Sequence, residues 1–156
     1  MIQAFIVSLL LILPTMANAQ NYDQSFKDWS VFTYQNTCYI GTAPIKQAGN
    51  YTRRGQPYVL VVHRGNKDEI NVSSGYPYKQ GKDVQASVDG NQFQLFTKGE
   101  VAWAYDEATD AAFVAAMKRG SRMVVDGTSQ KGTTSKDTYS LMGFTAAYNH
   151  MKQKCR

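Results

Sequence analysis

Long hydrophobic runs are scarce in this sequence of 156 residues. The run Ala4–Pro14 is apolar except for one serine, and it is too short for a transmembrane helix, which needs about 20 residues. Alanines follow at positions 17 and 19, at the spacing that a signal peptidase reads. We therefore expect a secretory signal peptide at residues 1–19, cut before Gln20, with an uncleaved membrane anchor as the alternative. Beyond this segment, which meets the membrane during export, we expect no membrane association.

Cysteine is also scarce, because Cys38 and Cys155 are the two in the sequence and neither belongs to a C-x-x-C redox motif. In an oxidising compartment two such cysteines are expected to form a disulfide. Apolar residues at steps of three and four predict a helix that starts near Ser140 and buries one face. Free buried thiols and an intermolecular bridge are the alternatives. The predicted buried face consists of Leu141, Phe144, Tyr148, Met151 and Cys155.

Acidic residues are missing from the whole stretch 29–67, although the chain has a net charge of +5. This stretch can be a solvated basic face, or it can contact an anionic partner such as an acidic glycan, lipid headgroups or an envelope surface. Nucleic acid is not the expected partner, since the chain has no recognition motif for it. The basic residues here are Lys46, Arg53, Arg54, Arg64 and Lys67.

Motifs of known catalytic chemistry are absent as well: the sequence has no G-x-S-x-G elbow, P-loop or dinucleotide fingerprint. Ser74, His63 and Asp68 can be combined into a Ser–His–Asp set, but a chain rich in Ser and Asp offers such combinations freely. The histidines and cysteines have no zinc spacing. We therefore expect no cofactor, no metal ion and a non-enzymatic protein, with an unrecognised hydrolase as the alternative.

The loop Ala43–Pro57 is the best candidate for a binding site. It contains two glycines and two prolines, which predict an exposed loop. Arginine and tyrosine often anchor protein interfaces, and arginine grips carboxylates and phosphates through two parallel hydrogen bonds. The predicted partner-binding residues are Lys46, Tyr51, Arg53, Arg54 and Tyr58.

Alternating apolar and polar residues dominate the region 28–156, which we predict to be one domain. Turn signals recur every 8 to 12 residues or so, as is typical of antiparallel sheets in a sandwich or partly closed barrel. Asp89-Gly90 predicts a tight hairpin, and the apolar run at 58–64 predicts a buried central strand. Residues 20–27 are polar and are expected to form a flexible arm. The fold class is therefore a mainly β, antiparallel, sandwich-like single domain with two short helices.

The first of these helices is predicted in the stretch "TDAAFVAAMKRG". Thr109 is the expected N-cap, and Gly120 ends the helix after two basic residues that suit its dipole. Its predicted apolar face consists of Ala112, Phe113, Ala116 and Met117.

Several of these landmarks together resemble the invasion-associated locus B family of bacterial exported proteins. They are Asp28-Trp29, the helix leading into "MKRG", the Gly127-x-Ser129 turn and "SLMGF" ahead of the terminal cysteine. The resemblance covers about residues 28–155 and implies a periplasmic or surface-associated protein of a Gram-negative bacterium. Some members are linked to host-cell entry, but the family supplies no catalytic residues. We expect a partner-binding envelope protein. The alternative is a periplasmic housekeeping or envelope-stress factor that assists or inhibits an envelope enzyme.

Overall fold

The computed structural model describes residues 21–35 and 37–155, so the predicted signal peptide and its cleavage site lie outside the described residues. The elements are β1 (Asn21–Phe26), β2 (Trp29–Tyr34), β3 (Thr37–Thr42), β4 (Lys46–Gly49), β5 (Tyr58–Arg64), β6 (Lys67–Ser73), β7 (Val84–Val88), β8 (Asn91–Lys98), β9 (Val101–Ala104), α1 (Glu107–Arg119), β10 (Arg122–Thr128), β11 (Thr134–Ser140) and α2 (Phe144–Lys154).

All these strands belong to one antiparallel sheet, in the order β1-β2-β3-β5-β6-β9-β8-β7-β10-β11-β4. The prediction of a mainly antiparallel β domain with two helices is confirmed. Only residues 43–45 connect β3, the third strand, to β4 at the far edge, and that connection spans at most about 14 Å. The two ends of the sheet must therefore lie close together. Trp29 on β2 accordingly donates its indole N–H to the Ser140 carbonyl of β11 at 3.0 Å.

The sheet curls around a core formed by its inner face and closed by the two helices. Trp29 packs edge-to-face on Phe144 of α2, with ring centroids 4.9 Å apart. Strand β5 buries Val59 and Val61 fully, while Leu60 and Val62 face outward and are half-buried. The predicted central strand is thus buried on one face only, as is usual in antiparallel sheets.

The disulfide between Cys38 and Cys155 is present, with Cα atoms 6.0 Å apart across 117 residues of sequence. It joins β3 to the end of α2, so the intramolecular prediction is confirmed. The predicted apolar face of this helix is also buried, from Leu141 to Met151. Neither α1 nor α2, the helices of the described region, has the length and apolar character needed to cross a bilayer.

Two polar segments form edge strands that the sequence did not reveal. Residues 20–27 were predicted as a flexible arm, but Asn21–Phe26 pairs with β2 as strand β1. The loop Ala43–Pro57 was predicted to lack regular structure, but Lys46–Gly49 pairs with β11 as strand β4. Both strands are mostly exposed. Their pairing therefore depends on backbone groups offered by a neighbouring strand, and not on an apolar pattern of their own.

Both helices begin at residues other than those predicted. Helix α1 is capped by Asp106, whose carboxylate accepts a hydrogen bond from the Thr109 amide at 2.7 Å, so Thr109 is not the cap. Its buried face includes Val114, whereas Ala112 is exposed. Helix α2 begins at Phe144 because β11 continues to Ser140.

Candidate functional site

The segment 50–57 is fixed to the body of the protein. The Asn50 side chain accepts a hydrogen bond from the Thr134 amide at 2.7 Å, and the Gly55 amide donates to the Gly75 carbonyl at 2.7 Å. Gly75 has φ +75°, and a Cβ atom there would lie 2.2 Å from the Gly55 carbonyl oxygen. Only glycine allows this approach. The segment is mostly exposed, as predicted, but these hydrogen bonds hold its backbone in place.

Arg54 points inward from this segment and pairs with Asp137 on β11. Its side chain is 3% exposed and that of Asp137 is 0% exposed. The two groups form a bidentate pair, with N···O distances of 2.7 and 2.5 Å. The guanidinium also donates to the Ser74 carbonyl and the Tyr51 hydroxyl, and it lies 4.1 Å from the centre of the Tyr51 ring. Both Nη groups of Arg54 are therefore occupied internally, and its role in binding a partner stays a prediction.

A buried hydroxyl network continues from this ion pair. The Tyr76 and Ser135 hydroxyls lie 2.6 Å apart, and the Tyr78 hydroxyl donates to Ser74 Oγ at 2.9 Å. Burial raises the pKa of Tyr76, so its hydroxyl stays protonated at neutral pH. A Cβ at Gly127 would come within 2.8 Å of both the Ser74 and the Tyr76 oxygens. The glycine of the Gly127-x-Ser129 landmark is thus required by close packing.

A pocket of about 260 Å³ opens beside this network. It lies between the segment that carries Arg53 and the turn 129–133, and both Arg53 and Lys131 are exposed. No Asp or Glu of the described residues lines the pocket, and no ion pair within that part of the chain includes either cation. The lining residues are Arg53, Arg54, Gly75, Tyr76, Pro77, Ser129, Gln130, Lys131 and Thr133.

Hydrogen bonds hold the turn that carries Lys131 in place. The Ser129 amide donates to the Thr133 carbonyl at 2.8 Å, and their hydroxyls lie 2.5 Å apart. The Gln130 amide donates to the Pro77 carbonyl at 2.9 Å. The backbone of Lys131 is therefore held at the pocket, which carries the exposed cations Arg53 and Lys131 without an acid among its described lining residues.

The structure separates the five predicted binding residues. Lys46 is exposed on β4, Tyr58 is half-buried at the start of β5, and Tyr51 packs on the Arg54 guanidinium. None of these three lines the pocket, whereas Arg53 and Arg54 do. Lys131 was missed, because its polar turn gives no local sign that it faces a loop far away in the sequence.

The Ser–His–Asp combination is not assembled. His63 Nδ1 lies 2.7 Å from an Asp68 carboxylate oxygen, but Ser74 follows the residue paired with Tyr58. Because Tyr58 and His63 are five residues apart on β5, Ser74 lies about 17 Å along the strand from His63. Within residues 21–35 and 37–155, no three His, Cys, Asp or Glu side chains are grouped as a metal site.

Asp68 serves to attach α2 instead. Its second carboxylate oxygen accepts a hydrogen bond from the Tyr148 hydroxyl at 2.5 Å, and Lys152 of the same helix lies 3.5 Å from the first. Burial, and then the Asp68 carboxylate, raise the pKa of Tyr148 far above its usual value, so Tyr148 remains a donor. The His63–Asp68 pair thus joins the β5–β6 hairpin to α2.

Comparison with known proteins gives one family. Residues 28–152 match the sequence model of the family described as Invasion associated locus B (IalB) protein. Searches of curated proteins and of solved structures gave no match. The matched region runs from the residue before β2 to near the end of α2 and includes every residue that lines the pocket.

Proposed function

Since the chain belongs to the invasion associated locus B family, we propose that it is an exported protein of the bacterial envelope that binds an anionic partner. The observation that carries this proposal is the pair of exposed cations, Arg53 and Lys131, on a pocket that no described acidic side chain lines. In a pathogen this binding would contribute to host-cell entry.

Electrostatics give the proposal a measurable signature. A charge pair 4 Å apart is worth about 1 kcal/mol in water and about 4 kcal/mol near a protein surface of lower effective dielectric constant. Exposed charges are screened over about 8 Å at physiological salt. The net charge of +5 also steers an anionic partner toward the protein. Binding is therefore expected to be tightest at low salt.

Reversing both pocket charges tests this proposal. We expect the double variant Arg53→Glu/Lys131→Glu to bind isolated cell envelopes at least about tenfold more weakly, since losing about 1.4 kcal/mol is enough for that. Its melting temperature should stay unchanged because both side chains are exposed. Co-sedimentation at low and at high salt, together with thermal unfolding, measures both quantities.

The matched control is Arg64→Glu/Lys98→Glu, which changes the net charge equally at two exposed sites away from the pocket. This control should retain most of the binding. If both double variants weaken binding to the same degree, net charge alone governs the interaction and the pocket has no special part in it. If neither variant changes binding at low salt, the proposed function is wrong.

The proposed role in host-cell entry requires exposure on the cell surface. We expect added protease to digest the native protein on intact cells. Protease added after the outer membrane is opened should digest it too. If the protease digests the protein only after the outer membrane is opened, the protein is located in the periplasm. That result would remove the host-entry role and support the alternative of a housekeeping or envelope-stress factor.

A further inference from the structure

We propose that the pocket between Arg53 and Lys131 binds a single carboxylate or phosphate group carried on a small hydroxylated unit, such as one acidic sugar residue. This inference rests on the proposed function and specifies the chemistry of the ligand. It follows from the charges of the pocket, its size and its neutral lining.

The charge of the pocket comes from Arg53 and Lys131, because Arg54 is already neutralised by Asp137. Arg53 offers a planar fork that matches two oxygens of a carboxylate or phosphate, and Lys131 offers a point charge. The two cations come from separate segments that hydrogen bonds fix to the body. The backbone at both cations is therefore held in place, while their exposed side chains still have to be ordered when an anion binds.

Arg54 contributes a buried, already paired side chain to the lining of the pocket. Its side chain lines the pocket and is 3% exposed, and its Nε–H is buried without an acceptor among the described residues. A buried donor without a partner costs about 1–3 kcal/mol. Because this atom has almost no accessible surface, a ligand in the pocket does not reach it, and the anion is left to Arg53 and Lys131.

The size of the pocket suits contact with one small unit of a ligand. A volume of 260 Å³ corresponds to about nine water molecules at about 30 Å³ each. It is smaller than the pockets of about 300–1,000 Å³ that hold drug-sized ligands. A single sugar residue or a phosphorylated head group fits this space, whereas an acyl chain or an oligosaccharide would extend out of it.

The neutral part of the lining suits a hydroxylated carrier. Gln130 is exposed and offers both a donor and an acceptor, and Ser129 and Thr133 add hydroxyl oxygens. Tyr76 and Pro77 contribute rings against which the C–H face of a sugar can pack. Among the described residues that line the pocket, Pro77 alone has a fully apolar side chain. The lining therefore favours a polar ligand over a lipid tail.

Titration of the mature protein with small probes, followed by amide chemical shifts and calorimetry, tests the inference. We expect glucuronate or glucose 6-phosphate to bind saturably, with shifts concentrated at residues 53–54, 75–76 and 129–133, and glucose not to bind. Arg53→Gln and Lys131→Gln should each weaken that binding about tenfold. Arg64→Gln and Lys98→Gln, matched exposed controls, should leave it unchanged.

Each other result overturns a defined part of the proposal. If inorganic phosphate binds as tightly as glucose 6-phosphate, the pocket recognises the anion alone and the hydroxylated carrier is wrong. If no small probe binds but anionic lipid vesicles do, the ligand is a charged surface and the inference fails. If envelope binding still depends on Arg53 and Lys131 while the probes fail, the proposed function stands without this ligand. If the probes fail and envelope binding does not depend on Arg53 and Lys131, both this inference and the proposed function are wrong.

Discussion

Replacing Arg54 with alanine is expected to lower the free energy of unfolding by about 3–5 kcal/mol, the usual cost of removing one partner of a buried ion pair. The variant leaves the Asp137 carboxylate, which is 0% exposed, without its counter-charge and without its two hydrogen bonds to the guanidinium. The total stability of a small domain is about 5–15 kcal/mol, so the loss is a large fraction of it. Urea unfolding of the oxidised protein measures the change.

Arg53→Ala is the matched control, because Arg53 is the neighbouring arginine and is exposed. Its effect on the free energy of unfolding should stay within about 0.5 kcal/mol. Arg54→Lys should lie between wild type and Arg54→Ala, since lysine keeps the charge but loses the bidentate fork. If Arg54→Ala and Arg53→Ala have the same small effect, Asp137 is not held by Arg54 in the way described.

A second double variant separates the cost of the unpaired carboxylate from the worth of the pair. Arg54→Met/Asp137→Leu removes both charges and keeps apolar bulk, and replacing a buried pair in this way is often neutral or stabilising. We expect it to be more stable than Arg54→Ala. If this double variant is less stable than Arg54→Ala, the ion pair itself stabilises the protein. The loss in Arg54→Ala then does not come only from leaving the Asp137 carboxylate unpaired.

Removing the disulfide through Cys38→Ser/Cys155→Ser is expected to lower the free energy of unfolding by up to about 4.7 kcal/mol. The chain-entropy model gives about this value for a loop of 100 residues, and the bridge here closes a sequence separation of 117 residues. Cys155 follows the last turn of α2, so hydrogen exchange should increase most at the end of this helix.

Other contacts will keep part of α2 in place without the bridge. Phe144 packs on Trp29, Tyr148 donates to Asp68, and His150 Nε2 lies 2.5 Å from the Asp23 carboxylate. The double variant should therefore still fold, with a lower urea midpoint. Wild-type protein treated with a reductant should show the same midpoint. If oxidised, reduced and variant proteins unfold together, the bridge contributes nothing to stability.

Features that depend on residues a few positions apart could be predicted from the sequence. Asp89-Gly90 forms the hairpin between β7 and β8, with φ values of 45° and 94° at the two positions. A tight turn with two positive φ values suits this dipeptide. Cys155 lies at the end of a buried helix face because helical spacing alone determines which side a residue occupies. The β periodicity and these spacings were sufficient to give the fold class and the disulfide.

The edge strands could not be predicted from the sequence, because they depend on the tertiary structure. Strands β1 and β4 have little apolar periodicity, and they exist because β2 and β11 present free backbone groups to pair with. The N-cap of α1 also depended on the tertiary structure. Asp106 and Thr109 are both good cap residues, and only the path of the chain after β9 decides between them.

The sequence by itself determined that basic residues are concentrated in 29–67 without acidic ones and that the chain alternates as a β domain. It made a bond between the two cysteines the expected outcome, and the structure shows that bond. Only the tertiary structure decided that adjacent arginines have opposite roles, with Arg54 buried on Asp137 and Arg53 exposed on the pocket. It also placed Lys131 on that pocket. Local sequence fixes backbone conformation and alternation, but burial and charge partners depend on which distant strands and turns meet. Asp137 is 83 residues from Arg54 in the sequence, and no local pattern records that separation.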